Sequence, residues 1–156
     1  MNNEVGLRIA VLVMGLSLMT ACNSGTNHGV ELDRSNSIAG PDVNGNGVRD
    51  DIDAYIASQA YPAPQLKAVQ QHAKALADIL LVDTSNQDAL RASDFSLQRS
   101  VHCLYLRFSD PSQAYANGKN ISKITVNTKA RVEVYAKYQG AMSGKVLAYV
   151  QGDTCE

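Results

Sequence analysis

A chain of 156 residues that is 45% apolar and lacks Trp is long enough to enclose one hydrophobic core and too short for two comfortable ones. Its formal net charge of -1 balances 14 Lys and Arg against 15 Asp and Glu, and the cations are scattered rather than clustered. That pattern argues against a nucleic-acid surface and against an acidic tail.

Residues 1–21 read as a targeting segment. Arg8 and the amino terminus give a weakly positive start, offset in part by Glu4, and an apolar run from Ile9 to Met19 follows, broken only by Gly15 and Ser17. The run is too short to span a membrane as a permanent helix. Met19-Thr20-Ala21-Cys22 closes it and resembles the bacterial lipobox, although Met19 and Leu18 depart mildly from its usual Leu. The resemblance implies that Cys22 is diacylated and becomes the new N-terminus, which anchors the mature protein to a membrane. Asn23 follows the Cys where an Asp would hold a Gram-negative lipoprotein at the inner membrane. The same resemblance therefore implies an outer-membrane lipoprotein facing the periplasm or the cell surface.

From Asn23 to Gly40 the chain is rich in Ser, Asn and Gly and has no sustained apolar periodicity, so residues 22–40 are expected to be a flexible tether. Asp42-Val43-Asn44-Gly45-Asn46-Gly47-Val48-Arg49-Asp50-Asp51-Ile52-Asp53 then sets oxygen side chains at the spacing of a hard-cation loop. Such a loop takes ligands from its positions 1, 3, 5, 7, 9 and 12 and needs Gly at 6. Counting from Asp42, these are Asp42, Asn44, Asn46, the Val48 carbonyl, Asp50 and Asp53, with Gly47 at the turn. The pattern resembles EF-hand-like calcium loops of the dockerin and thrombospondin type 3 kinds, which accept Asp at the last position. No helix can be read before it, unlike a full EF-hand. Asn at two ligand positions and the short Asp53 imply an affinity of about micromolar to millimolar. Arg49 and Asp51, between ligand positions, are expected to face solvent or pair locally.

Helical spacing follows. Ile52, Tyr55, Ile56 and Ala60 define a first helix that stops before Pro62, and Pro64 opens a second that runs to about Val82 with Leu66, Val69, Ala73, Leu76, Ala77 and Leu80 on one face. Leu90, Leu97, Val101, Leu104 and Phe108 define a third. Asp110 and Pro111 are expected to cap a short helix through Tyr115 that Asn117-Gly118 interrupts. Residues 121–126 fit neither period and are read as helix or irregular structure. Asn127-Thr128 caps a last helix from about Lys129 to Ser143, its apolar side carrying Val132, Tyr135, Ala136 and Met142, and Gly144 stops it. With Cys22 taken by lipid, Cys103 and Cys155 remain as an even pair in an oxidising compartment, and a disulfide between them is expected to pin the tail.

Other chemistry is weaker. His28, His72 and His102 lack the i, i+4 pairing of a zinc helix, and Cys103 beside His102 has a simpler partner in Cys155 than a catalytic role. Tyr105, Tyr135 and Tyr138, with Arg131 a turn before Tyr135, are read as core edge rather than as a ligand groove. Asn127-Thr128-Lys129-Ala130-Arg131, Tyr135 and Ser143-Gly144-Lys145 resemble the C-terminal signature of small secreted bacterial proteins ending near a Cys, a resemblance that implies no activity.

The expectation is an all-α protein: a small helical bundle over residues 41–156, with one calcium loop (42–53) ahead of its first helix and a disulfide-tied tail. Its expected role is that of an envelope lipoprotein with structural calcium that binds a partner protein without catalysis. A small periplasmic hydrolase or cell-wall-active enzyme, using carboxylates that cannot be singled out, is the alternative.

Overall fold

The computed structural model describes residues 29–147 and 149–156 and is helical, with no strand among them. Residues 1–21, Cys22 with its lipidation, His28 and the start of the tether lie outside the described residues. The helices are α1 (Asp50–Ser58), α2 (Ala63–Leu81), α3 (Gln87–Arg107), α4 (Pro111–Thr125) and α5 (Lys129–Met142). No described helix is long and apolar enough to cross a membrane.

α2 lies at the centre and packs against each of the other four helices. Its composition explains the position: Ala68, Val69, His72, Ala73, Ala75, Leu76, Ile79 and Leu80 are all buried, a wider apolar arc than a surface helix carries. The core around it takes Val48, Ile52 and Ile56, Leu90, Cys103, Leu104 and Phe108, Ala114 and Ile121, and Tyr138. Local signals set the boundaries. Asn86 caps α3 by accepting from the Asp88 and Ala89 N–H groups, Asp110 caps α4 through the Ser112 N–H, and Thr128 caps α5 through the Arg131 N–H. Gly144, at φ 75°, follows the end of α5.

Three sequence expectations are corrected here. Asn117-Gly118 does not interrupt α4, which continues through Gly118 to Thr125. Asn117 is held within its own helix, donating from Nδ2 to the Gln113 carbonyl (2.8 Å), while its Oδ1 accepts from the Tyr61 hydroxyl. Gly118 serves packing rather than a turn: a Cβ there would sit 3.1 Å from Leu104 Cδ1, so its absence lets α4 close onto α3. The buried face of α5 is also displaced. Val132, expected inside, is 49% exposed, and Arg131 and Tyr138 are buried in its stead. The Tyr138 hydroxyl donates to Asp94 Oδ1 at 2.8 Å, which satisfies its polar end; burial, then that bond, pushes the phenol up. On α3, Val101 has slipped off the core face.

Cys103 and Cys155 form the disulfide across 52 residues. Around it the tail is sutured to α2 and α3: Thr154 Oγ1 donates to the Arg99 carbonyl (2.9 Å), Gln71 Nε2 to the Thr154 carbonyl (2.9 Å), and Arg107 Nη2 to Asp153 (2.7 Å). A closed loop of this length contributes about 4 kcal/mol in the chain-entropy model. Reducing the bridge, or replacing both cysteines by Ser, should lower unfolding stability by about that amount. Urea unfolding with and without reductant reads it; an unchanged midpoint would mean that the tail's hydrogen bonds hold it unaided.

His72 is the core's titratable group. Its Nδ1 lies 3.0 Å from Ser100 Oγ, and desolvation pushes its pKa down to about 4, against a smaller opposing effect of the Gly118 backbone. Between pH 6.5 and 4 the unfolded chain therefore binds a proton that the folded chain refuses, and stability falls as pH drops through that window. The loss expected from this one ring is on the order of 3 kcal/mol. His72→Gln should remove that slope from a series of urea midpoints; an identical slope in the variant would assign the acid sensitivity elsewhere.

Candidate functional site

The stretch 42–53 folds as its residue types dictate. Gly45 (φ 68°) and Gly47 (φ 81°) supply the left-handed positions that let the backbone coil tightly. Each side-chain oxygen then takes a nearby N–H: Asp42 Oδ1 and Oδ2 accept from Asn46 (3.2 Å) and Gly47 (2.9 Å), Asn44 Oδ1 from Asn46 (2.9 Å), and Asn46 Oδ1 from Val48 (2.7 Å). Asp53, from the first turn of α1, reaches back across the loop, where its Oδ2 accepts from Asn44 Nδ2 (3.0 Å) and Asn46 Nδ2 (2.8 Å).

The structure thus brings Asn44, Asn46 and Asp53 together and wraps the backbone around Asp42. Asp50 is engaged differently: its carboxylate accepts the Val43 N–H at 3.1 and 3.3 Å. Among the described residues no three His, Cys, Asp or Glu side chains assemble as a metal cage. Asn44 and Asn46 present Nδ2 to Asp53 while their Oδ1 atoms accept backbone N–H groups, so the stretch carries two carboxylates and two amides, oxygen-bearing groups with lone pairs to spare.

Beside the loop lies an arrangement that the sequence did not disclose. Arg131 is fully buried, and its five N–H donors each find an acceptor. Nε donates to the Ile38 carbonyl (3.2 Å), Nη1 to the Asp33 carbonyl (2.9 Å) and Asn127 Oδ1 (2.7 Å), and Nη2 to Asp33 Oδ2 (2.6 Å) and the Ser37 carbonyl (2.7 Å). Residues 33–38, expected within the tether, are therefore held against the domain. The signal for this was available only in part: Arg131 falls on the apolar side of α5 one turn before Tyr135, but apart from Asn127 its partners lie more than ninety residues away.

Arg49 and Asp51 pair with each other, and they do so in the interior rather than in solvent. Arg49 is 4% exposed; Nη2 donates to Asp51 Oδ2 (2.9 Å) and to the Ile124 carbonyl (3.0 Å), and Nη1 to the Thr125 carbonyl. A cation on the last carbonyls of α4 also meets the negative end of that helix. Asp51 Oδ2 accepts the Asp33 N–H at 2.8 Å, which joins the two arginine clusters. Gly40 (φ 68°) crosses directly over Arg49, where a Cβ would overlap its Cδ. Among the described residues no buried side-chain nitrogen or oxygen lacks a partner.

The remaining candidate groups are dispersed. His102 Nδ1 lies 3.2 Å from Thr154 Oγ1 at the tail, and Cys103 is consumed by the disulfide. Tyr138 is in the core and Tyr135 beside it, ring centroids 6.3 Å apart, while Tyr105 is 45% exposed. The carboxyls of Asp33, Asp83, Asp110 and Asp153 are all held below their ordinary range, chiefly by hydrogen bonds from neighbouring serines or arginine. No protein-family model, curated protein or solved structure matches this chain.

The Asp33 carboxyl is lowered to about 2, first by the Ser35 backbone N–H and then by Arg131. Its contribution is therefore fully present above about pH 4 and is lost as pH falls through about 2. Arg131→Met should release residues 33–38 and cost about 3 kcal/mol, because it leaves Asp33 with an uncompensated charge. Hydrogen exchange at the amides of residues 33–40 reads the release. Protection equal to that of the parent would refute the latch.

Proposed function

We propose that this chain is a lipid-anchored envelope protein, acylated at Cys22, that carries a structural calcium ion in the loop 42–53 and binds a partner protein without catalysis. The observation that carries the reading is that Asn44, Asn46 and Asp53 meet across a loop turned by Gly45 and Gly47, with its backbone coiled around Asp42. In this reading Asp42, Asn44, Asn46, Asp53 and the Val48 carbonyl hold the ion, and Asp50 joins them directly or through water while giving up the Val43 N–H. The ion would supply charge that lets the carboxylates approach without repulsion. The outer-membrane location and the face presented to periplasm or exterior rest on the lipobox and on Asn23.

Two further observations support a binding role. Asp33, Asp83, Asp110 and Asp153 are held ionised as caps and latches, which suits them poorly as proton donors. Large apolar side chains such as Val43, Phe95, Tyr115 and Tyr149 stand exposed on the surface.

Calorimetric titration of the chelator-treated chain with calcium is expected to give one site with a dissociation constant between about 1 μM and 1 mM. At a hundredfold excess over that constant the ion should add about 2.7 kcal/mol of stability. Asp42→Ala with Asp53→Ala should abolish both effects. Absence of heat and of any rise in thermal midpoint would defeat the calcium assignment. Mass spectrometry of the membrane fraction tests the anchor separately, through loss of the acyl mass in Cys22→Ala.

A further inference from the structure

The groove between α3 and α4 is a site of another kind, distant in sequence from the cation loop. It encloses about 260 Å³. Val101 and Tyr105 of α3 and Tyr115 of α4 wall it, exposed by 37%, 45% and 61%, and Leu104 lies at its floor. Gly118 lines it too, and its bare Cα lets α4 approach Leu104 at the floor. Ser122, also at the groove, is occupied internally: its hydroxyl donates to the Gly118 carbonyl at 3.0 Å.

One charge stands at this apolar groove. Lys119 holds its ammonium 5.8 Å from the centroid of the Tyr115 ring, and its cationic face is paired with no carboxylate among the ion pairs of the described residues. By contrast, Lys74 is paired with Asp78 and Lys129 with Glu133. Burial keeps His72, beneath the groove, neutral at physiological pH, so Lys119 is the one lining residue charged there. No acidic side chain lines the groove to oppose an anion.

We propose that the α3–α4 groove binds a small organic anion, its apolar body seated between Val101, Tyr105 and Tyr115 and its carboxylate on the Lys119 ammonium. Size decides between a small ligand and a polypeptide. The volume is just below the range of about 300–1,000 Å³ for drug-sized ligands, so the body is one or two rings or a short acyl chain. A stable protein partner would need about 800 Å² of this chain's surface, far more than the groove offers. The proposal is independent of both the calcium site and the lipid anchor.

A matched pair of probes tests it: 8-anilino-1-naphthalenesulfonate, an aromatic anion, and N-phenyl-1-naphthylamine, the same body without the sulfonate. Added to the full chain, the anion should shift the amide resonances of Val101, Tyr105, Tyr115 and Lys119 and bind about tenfold more tightly than the neutral amine. Lys119→Glu should erase that difference, and Tyr115→Ser should weaken both probes. Both residues are exposed, so an unchanged thermal midpoint verifies the fold of each variant, with Lys119→Gln as the milder replacement. Equal binding of the two probes, equal binding by Lys119→Glu, or shifts centred away from α3 and α4 would overturn the proposal.

Discussion

The guanidinium of Arg131 is the constraint on which the N-terminal half of the structure depends. A buried arginine is stabilising only if every N–H is met, and here the acceptors are main-chain carbonyls of residues 33, 37 and 38, the Asp33 carboxylate and the Asn127 amide. Most of these are backbone groups that no single substitution removes. The segment that supplies them has little apolar content, so it is held by polar geometry and not by burial of its own side chains. Asn127 completes the junction, its Nδ2 donating to the Asp33 carbonyl and its own carbonyl accepting from Arg34. The short turn between α4 and α5 is thereby the place where both ends of the sequence's polar network meet.

This arrangement bears on the loop that follows. Residues 42–49 are fixed at their start by Gly40 lying on Arg49 and by the Asp50 N–H donating to the Pro41 carbonyl (2.9 Å), and at their end by α1. Ile52 and Ile56 anchor that helix in the core. The loop is a closed ring whose ends are already together, so little further entropy is lost in ordering its side chains. Its side chains, though exposed, are oriented by N–H groups of their own backbone.

Much of the fold was legible because helical periodicity, caps and turn residues agree with one another along most of the chain. The positions of Pro64, Asp110, Thr128 and Gly144 mark boundaries that the structure shares to within a few residues. The pairing of Cys103 with Cys155 was likewise readable, on the expectation that Cys22 is engaged elsewhere. What could not be read was the meaning of polar residues in apolar settings. Gly118 looks like a breaker in isolation and is a contact point in three dimensions. Arg131 is a charge on the apolar side of α5, yet it takes the interior place while Val132 faces outward, because acceptors from a distant segment outweigh one valine's burial. The spacing of oxygen side chains from Asp42 to Asp53 was visible, whereas the separate engagement of Asp50 with Val43 depends on backbone path alone.

The two fastenings differ in reach along the chain, and this orders the assembly of the molecule. Asp33 is separated from Arg131 by 98 residues, while the disulfide spans 52 and ends at the penultimate residue. For a chain that emerges N-terminus first, α1, α2 and α3 can gather locally and the Asp33 N–H can already reach Asp51, but the Arg131 latch on residues 33–38 cannot close until α5 has appeared. The last fastening, through Cys155, then closes on helices already packed. A molecule stopped short of α5 would hold residues 33–38 by little more than the Asp33 N–H on Asp51, and so the polar latch of an early segment is among the last contacts to close.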